Sequence, residues 1–158
     1  MEINQKEIYE AYFGRNVEYY TERLEDYHNG QKTSFSFKAF FLGLFWMTYR
    51  KMYGHLFAIM AIILVEGIIV ELLYQFDIIN EGVYNIENMI SILLLSGLFG
   101  MFANKFYLEK SIKNVETIMA QYNDRETMLE AAKKKGGVNW VAPFVLLAIL
   151  LFLNFVAA

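Results

Sequence analysis

Between Lys51 and Lys105 the chain carries no Lys and no Arg, and two long apolar stretches fall inside that window. A third apolar stretch, Val138 to Ala158, has no ionisable side chain. Runs of this kind cross a bilayer without burying charge, whereas a soluble domain scatters Lys and Arg throughout. The pattern predicts an integral membrane protein. It leaves room for little else, because a water-soluble fold would have to hide all three stretches inside 158 residues.

Charge distribution sharpens the reading. Residues 1–51 hold seven basic and seven acidic side chains, and residues 104–137 hold seven basic and five acidic. Residues 52–103 hold Glu66, Glu71, Asp77, Glu81 and Glu87 and no base. A length near that of one ordinary domain predicts one unit. With no Cys there is no disulfide framework and no thiolate metal site. The first ~30 residues are polar and lack an apolar h-region, which predicts no cleavable signal peptide.

Periodicity places the elements. Tyr9, Phe13, Val17, Tyr20, Leu24 and Tyr27 recur at helical steps, so residues 5–28 read as a cytosolic amphipathic helix packed on the rest of the protein. Gly14 weakens its middle, and His28-Asn29-Gly30 is a stop signal. Residues 36–53 form an aromatic helix. Its unbroken apolar core, Ala39 to Tyr49, is about 16 Å long as a helix, too short to cross ~30 Å of hydrocarbon. It reads as interfacial or re-entrant. Residues 54–76 form a first span, 77–88 an external acidic loop and 89–107 a second span. Residues 108–137 read as a cytoplasmic helical segment: 108–122 continue helically, with Leu108, Ile112, Val115, Met119 and Tyr122 at helical steps, then Asn123-Asp124 caps a short helix and Gly136-Gly137 ends it. Residues 138–157 form a third span, with Pro143 in its first turns. The fold class is therefore all-α and polytopic, with three transmembrane helices. Lys and Arg flank the cytoplasmic ends and are missing from 77–88, so the positive-inside rule puts the N-terminus in the cytoplasm and the C-terminus outside.

The run Phe35 to Tyr53, FSFKAFFLGLFWMTYRKMY, resembles a family of small bacterial membrane proteins known as domain of unknown function 2628. The family's hallmark has the form FNWAAFFFGPFWLLYRKMY. Phe35, Ala39, Phe40, Phe41, Gly43, Phe45, Trp46 and Tyr49 to Tyr53 match it. Tyr12-Phe13-Gly14-Arg15-Asn16 with Tyr19-Tyr20 is similar to the family's lead-in, and Gly100 to Tyr107, with Ala103-Asn104, to its second block. The resemblance runs over roughly residues 10–120. Ser36, Phe37 and Leu44 stand where Asn, Trp and Pro are usual, and the missing proline predicts a helix running straight through 43–44. The resemblance implies a multi-pass bacterial membrane protein and implies no activity.

No catalytic constellation is legible. His28 and His55 lack metal-type spacing, there is no nucleophile with a recognisable base, and Gly97-x-x-Gly100 lies inside an apolar helix. No cofactor or metal is expected. Nucleic-acid binding is disfavoured because the aromatics cluster with an apolar run, not a basic patch. Glu66, near mid-membrane, must face protein or water, pair, or be protonated. It reads either as a proton-handling or partner-binding acid, or as a carboxyl satisfied by Ser96 or Asn154. Ser96, Gly97, Gly100 and Asn104 form a small-residue face suited to helix contact. Trp46, Tyr49, Arg50, Lys51 and Tyr53 suit a lipid head-group contact. Three functions follow. The leading one is a non-enzymatic protein that binds another membrane protein, or itself, as an accessory subunit or immunity-type protector. The second is an oligomeric proton or ion path using Glu66. The third is lipid binding or membrane shaping through 36–53.

Overall fold

The computed structural model describes residues 5–157, and every regular element among them is helical. The helices are α1 (Gln5–Phe13), α2 (Val17–His28), α3 (Phe37–Tyr49), α4 (Tyr53–Gln75), α5 (Glu81–Gln121), α6 (Arg125–Lys135) and α7 (Ala142–Ala157).

The amphipathic segment is two helices, not one. Gly14 and Asn16 both have positive φ, 63° and 58°, and the chain turns between them. The turn is fixed by packing, since a Cβ on Gly14 would stand 3.1 Å from the Gly137 Cα. The apolar stripe still faces inward: Tyr9, Phe13, Tyr20 and Leu24 are buried. Together with α3, α6 and the second half of α5 they enclose the core, which includes Ile8, Tyr12, Val115, Ile118, Met128 and Ala132.

The aromatic helix breaks despite Leu44. Gly43 takes φ 46°, ψ −118°, a conformation that needs no proline but does need a residue without a Cβ. Gly43 lies against the Phe99 ring, 3.6 Å from where a Cβ would sit. The expectation of a straight helix fails because the bend is encoded by the glycine.

The expected second span and the helical stretch that follows it are one 41-residue helix, α5. Nothing between Tyr107 and Leu108 can stop a helix, so it runs from the loop after α4 into the core at a rise of ~1.5 Å per residue. The loop expected over 77–88 shrinks accordingly. Asn80 caps α5 by accepting from the Val83 amide, and only Phe76 to Asn80 remain outside helix.

Two helices, α4 and α5, are long and apolar enough to cross a membrane, and their apolar windows are only 11% buried in the protein. The expected third span is shorter. Asn139 Oδ1 accepts from the Val141 and Ala142 amides, so α7 begins at Ala142. Its 16 residues give about 24 Å of helix, under the ~30 Å of a hydrocarbon core.

Three helices end in the same hydrogen-bond pattern, in which the third residue past the helix reaches back to the third from its end. In α2 the left-handed position is Gly30, in α4 Asp77, and in α3 Lys51. The α3 closure puts Met52 and Met47 together in the interior and turns Arg50 inward.

Candidate functional site

Arg50 is among the largest buried side chains of the described residues, with 2% of its surface exposed. Its Nη1 donates to the Phe13 carbonyl at 3.2 Å and to the Tyr107 hydroxyl at 3.4 Å, and its Nη2 donates to the Arg15 carbonyl at 3.1 Å. Phe13 is the last residue of α1, whose final carbonyls have no intrahelical donor and carry the negative end of the helix dipole. The guanidinium also lies 4.3 Å from the Tyr20 ring centre, 5.1 Å from Tyr107 and 5.6 Å from Tyr49. A weakly hydrated planar cation suits such a cage better than an ammonium would.

The cage contains no anion. No carboxylate pairs with Arg50 among the described residues, and its Nε–H has no acceptor. Tyr20 does not supply one: burial first, against the opposing charge of Arg50, raises its pKa above that of an ordinary phenol, so it stays neutral. A buried, uncompensated charge is costly, and here helix carbonyls and ring faces offset only part of the cost.

Arg50 lines a cavity of about 320 Å³ between α2, α3 and α7. Trp46, Tyr49 and Trp140 form aromatic walls, Asn16 and Lys38 add polar groups, and Leu42, Phe45, Pro143 and Phe144 are apolar. The mouth is held by α7's approach to α3. The Asn139 amide donates to the Tyr49 carbonyl at 2.8 Å, its Nδ2 donates to the Tyr53 hydroxyl at 2.9 Å, and the Tyr49 and Trp140 rings meet edge to face. Arg15 lies 4.7 Å over the Trp140 ring.

A second polar site lies between α4 and α5. The Ser91 hydroxyl stands 2.8 Å from Glu66 Oε1 and 2.7 Å from Glu87 Oε1. A hydroxyl has one proton, so it cannot donate to both carboxyls at once. Glu87 Oε2 is buried with no partner. Glu66 is thirteen residues from the start of α4 and nine from its end, about 20 Å and 14 Å along the axis. The partner is Ser91, not the Ser96 or Asn154 that its depth suggested. The i,i+4 spacing of Glu87 and Ser91 was the available signal. Glu71 accepts from Gln75 and, across the hairpin, from the Tyr84 hydroxyl.

The small-residue face divides. Gly100 is buried against Phe35 and Phe40, and the Ser36 amide donates to its carbonyl. Asn104 is buried, and its Nδ2 donates to the Tyr19 hydroxyl at 2.7 Å and to Ser34. Ser96 and Gly97 stay half-exposed, and a Cβ on Gly97 would meet nothing within 4 Å. The head-group set divides too. Trp46 and Arg50 are interior, Tyr49 and Lys51 half-buried, and Tyr53 exposed. Lys51 Nζ donates to the Lys134 carbonyl at 3.1 Å, tying α3 to α6. Lys38 and Trp140 carry no sequence signal of their own and join the cavity only through the fold, and Asn16 stands out only within the family's lead-in. Among the described residues no three His, Asp or Glu side chains gather as a metal site.

No curated protein and no solved structure matches this chain. The model of the family described as "Protein of unknown function (DUF2628)" matches residues 11–112, more than half of the chain. That span takes in all three blocks that converge on Arg50 and its neighbours: the Tyr12 to Tyr20 turn, the aromatic helix and the Gly100 to Tyr107 stretch. The two long apolar helices support a membrane location, and the chain belongs to the DUF2628 family.

Proposed function

We propose that the chain is a non-catalytic, multi-pass membrane protein that works by binding another membrane protein along its α4–α5 hairpin, as an accessory subunit or a protector against a membrane-active partner. The observation that carries this reading is the carboxyl pair Glu66 and Glu87, which shares one hydroxyl and keeps a buried oxygen without a donor. Acids at membrane depth pair with other polar groups, and a basic side chain on a partner helix has the complementary charge. Around the pair, Ile69 and Leu94 are more than half exposed, so a helix can lie against the hairpin. Ser96 and Gly97 offer a close-approach point on the same element.

The topology that goes with this reading has α1, α2 and α6 in the cytoplasm, since Lys and Arg cluster there and the Phe76 to Asn80 loop has none. In it α7 crosses as a short span, accommodated by local thinning of the bilayer, and the C-terminus is external.

Photo-crosslinkers at Ile69 and Leu94, in cells, test the reading. One discrete heavier species should form, and Glu66→Gln with Glu87→Gln should weaken it. Adducts to lipid alone would sink it, and an adduct of twice the chain's mass would mean self-association. The rival reading, a proton path through Glu66, requires flux in proteoliposomes that Glu66→Gln removes.

A further inference from the structure

The cavity beside Arg50 has the makings of an anion site. One cation, Arg50, is 98% buried, lines the cavity and has an N–H with no acceptor. A second, Lys38, lines it from the exposed side and forms no ion pair among the described residues. A third, Arg15, covers the Trp140 wall. No Asp or Glu lines it. A fold that buries a guanidinium without a carboxylate, beside a cavity with no acid in its lining, leaves the counter-charge to come from outside.

The rest of the lining says what carries that charge. Phe144 and Leu42 are 70% and 52% exposed, and they continue from the cavity onto the apolar outer faces of α7 and α3. A small hydrophilic anion has no use for such a rim, whereas an anion on an apolar chain does. The volume lies at the low end for ligand pockets, enough for a head-group with its tail outside. Trp140, Tyr49 and Tyr53 are the residue types that sit at the head-group level of a bilayer. Phosphate fits better than a lone carboxylate, because its oxygens can face Arg50 and Lys38 from different sides, and guanidinium groups match phosphate geometry.

We propose that the cavity between α2, α3 and α7 binds the phosphate group of an anionic amphiphile, with Arg50 as the fixed cation, Lys38 as the mobile one, and the apolar rim of Leu42 and Phe144 guiding the chain out into lipid. This stands independently of any partner on the α4–α5 hairpin.

The chain carries its own reporter: it has two tryptophans, Trp46 and Trp140, and both line this cavity. The full-length protein is reconstituted in phosphatidylcholine bilayers with brominated-chain phosphatidylglycerol or brominated-chain phosphatidylcholine at matched mole fraction, and tryptophan quenching is followed. Phosphatidylglycerol should quench preferentially. Lys38→Gln, at an exposed position that should not affect folding, should cut that preference about fivefold, the equivalent of one basic contact. Arg50→Gln should abolish it, but its interior position makes Lys38→Gln the deciding variant. Titration of the detergent-solubilised protein with inorganic phosphate separates the sources. A fluorescence change that Lys38→Gln weakens, without a lipid preference, assigns the site to free phosphate. Equal quenching by both lipids with no response to phosphate overturns the proposal. So does a preference that Lys38→Gln leaves unchanged.

Discussion

The Ser36 amide donates to the carbonyl of Gly100 at 2.7 Å, joining the residue that caps α3 to the middle of α5. Ser36 thus has two duties, since its Oγ also accepts from the Ala39 amide at 3.3 Å. The close approach depends on Gly100. A Cβ there would stand 2.5 Å from the Phe35 ring.

Two glycine substitutions should differ in cost. At Gly100 the obstacle is the far end of a half-exposed ring, which can swing. At Gly136 it is the backbone carbonyl of Tyr12, which also accepts from the Gly137 amide. We expect Gly136→Ala to lower stability by about 1–3 kcal/mol, as overpacking does, and Gly100→Ala by less. Gly97→Ala should lie within about 0.5 kcal/mol of wild type. Thermal unfolding of the three variants in one detergent checks the order, and a Gly100→Ala more damaging than Gly136→Ala contradicts it.

Arg50→Lys should behave as a disruptive change. An ammonium cannot reach the Phe13 and Arg15 carbonyls together with the planar fit that Arg50 has between three tyrosine rings. The loss should be at least about 2 kcal/mol, the worth of charged hydrogen bonds given up in the interior. Unfolding that matches wild type would mean that the cage contributes nothing.

Asp77 occupies a left-handed position, φ 55°, at the end of α4. Asp77→Gly should raise stability by roughly 0.5–1 kcal/mol, the relief of backbone strain less the entropy of an added glycine. A fall in the unfolding midpoint would show that the strain is not stored there.

Stability should also rise with pH over a limited range. Lys110 is half-buried and donates to the Lys51 carbonyl. Burial first, and the Lys51 charge second, lower its pKa from 10.5 to about 8. Below pH ~8 both folded and unfolded forms carry the proton. Between about 8 and 10 only the unfolded form does, so deprotonation favours the fold as pH rises. Above about 10 the buried Tyr12 and Tyr20, whose pKa values are raised by burial, reverse the slope. The unfolding midpoint should therefore climb from pH 7.5 to 9.5, and Lys110→Gln should flatten the climb. A wild-type profile that is flat over that range rules the account out.

Helix positions were largely legible in the sequence because their signals are local. The stripe from Tyr9 to Leu24 marks the buried face of α1 and α2, and Asp124 caps α6 by accepting from the Thr127 amide at 2.8 Å. Breaks were less legible. The turn at Gly14 is fixed by Gly137, more than a hundred residues away, and no window around either residue contains that contact. Only length divides α4 and α5 from α7, and α7's length is set by the Asn139 side chain. The family hallmark flagged Arg50, but as a surface residue beside Lys51. Its interior position follows from carbonyls at Phe13 and Arg15 and a hydroxyl at Tyr107, which only the fold assembles. Glu66 was conspicuous by its depth, whereas Ser91 is marked only by its i,i+4 spacing from Glu87.

The unbroken course of α5 has a mechanical consequence. Ser91, which serves the carboxyl pair, and Tyr107, which touches Arg50, sit on the same rod, about 24 Å apart, with no hinge between them. Tilting or rotating the N-terminal end of that rod would carry Tyr107 with it, so the hairpin and the arginine cage cannot be displaced independently.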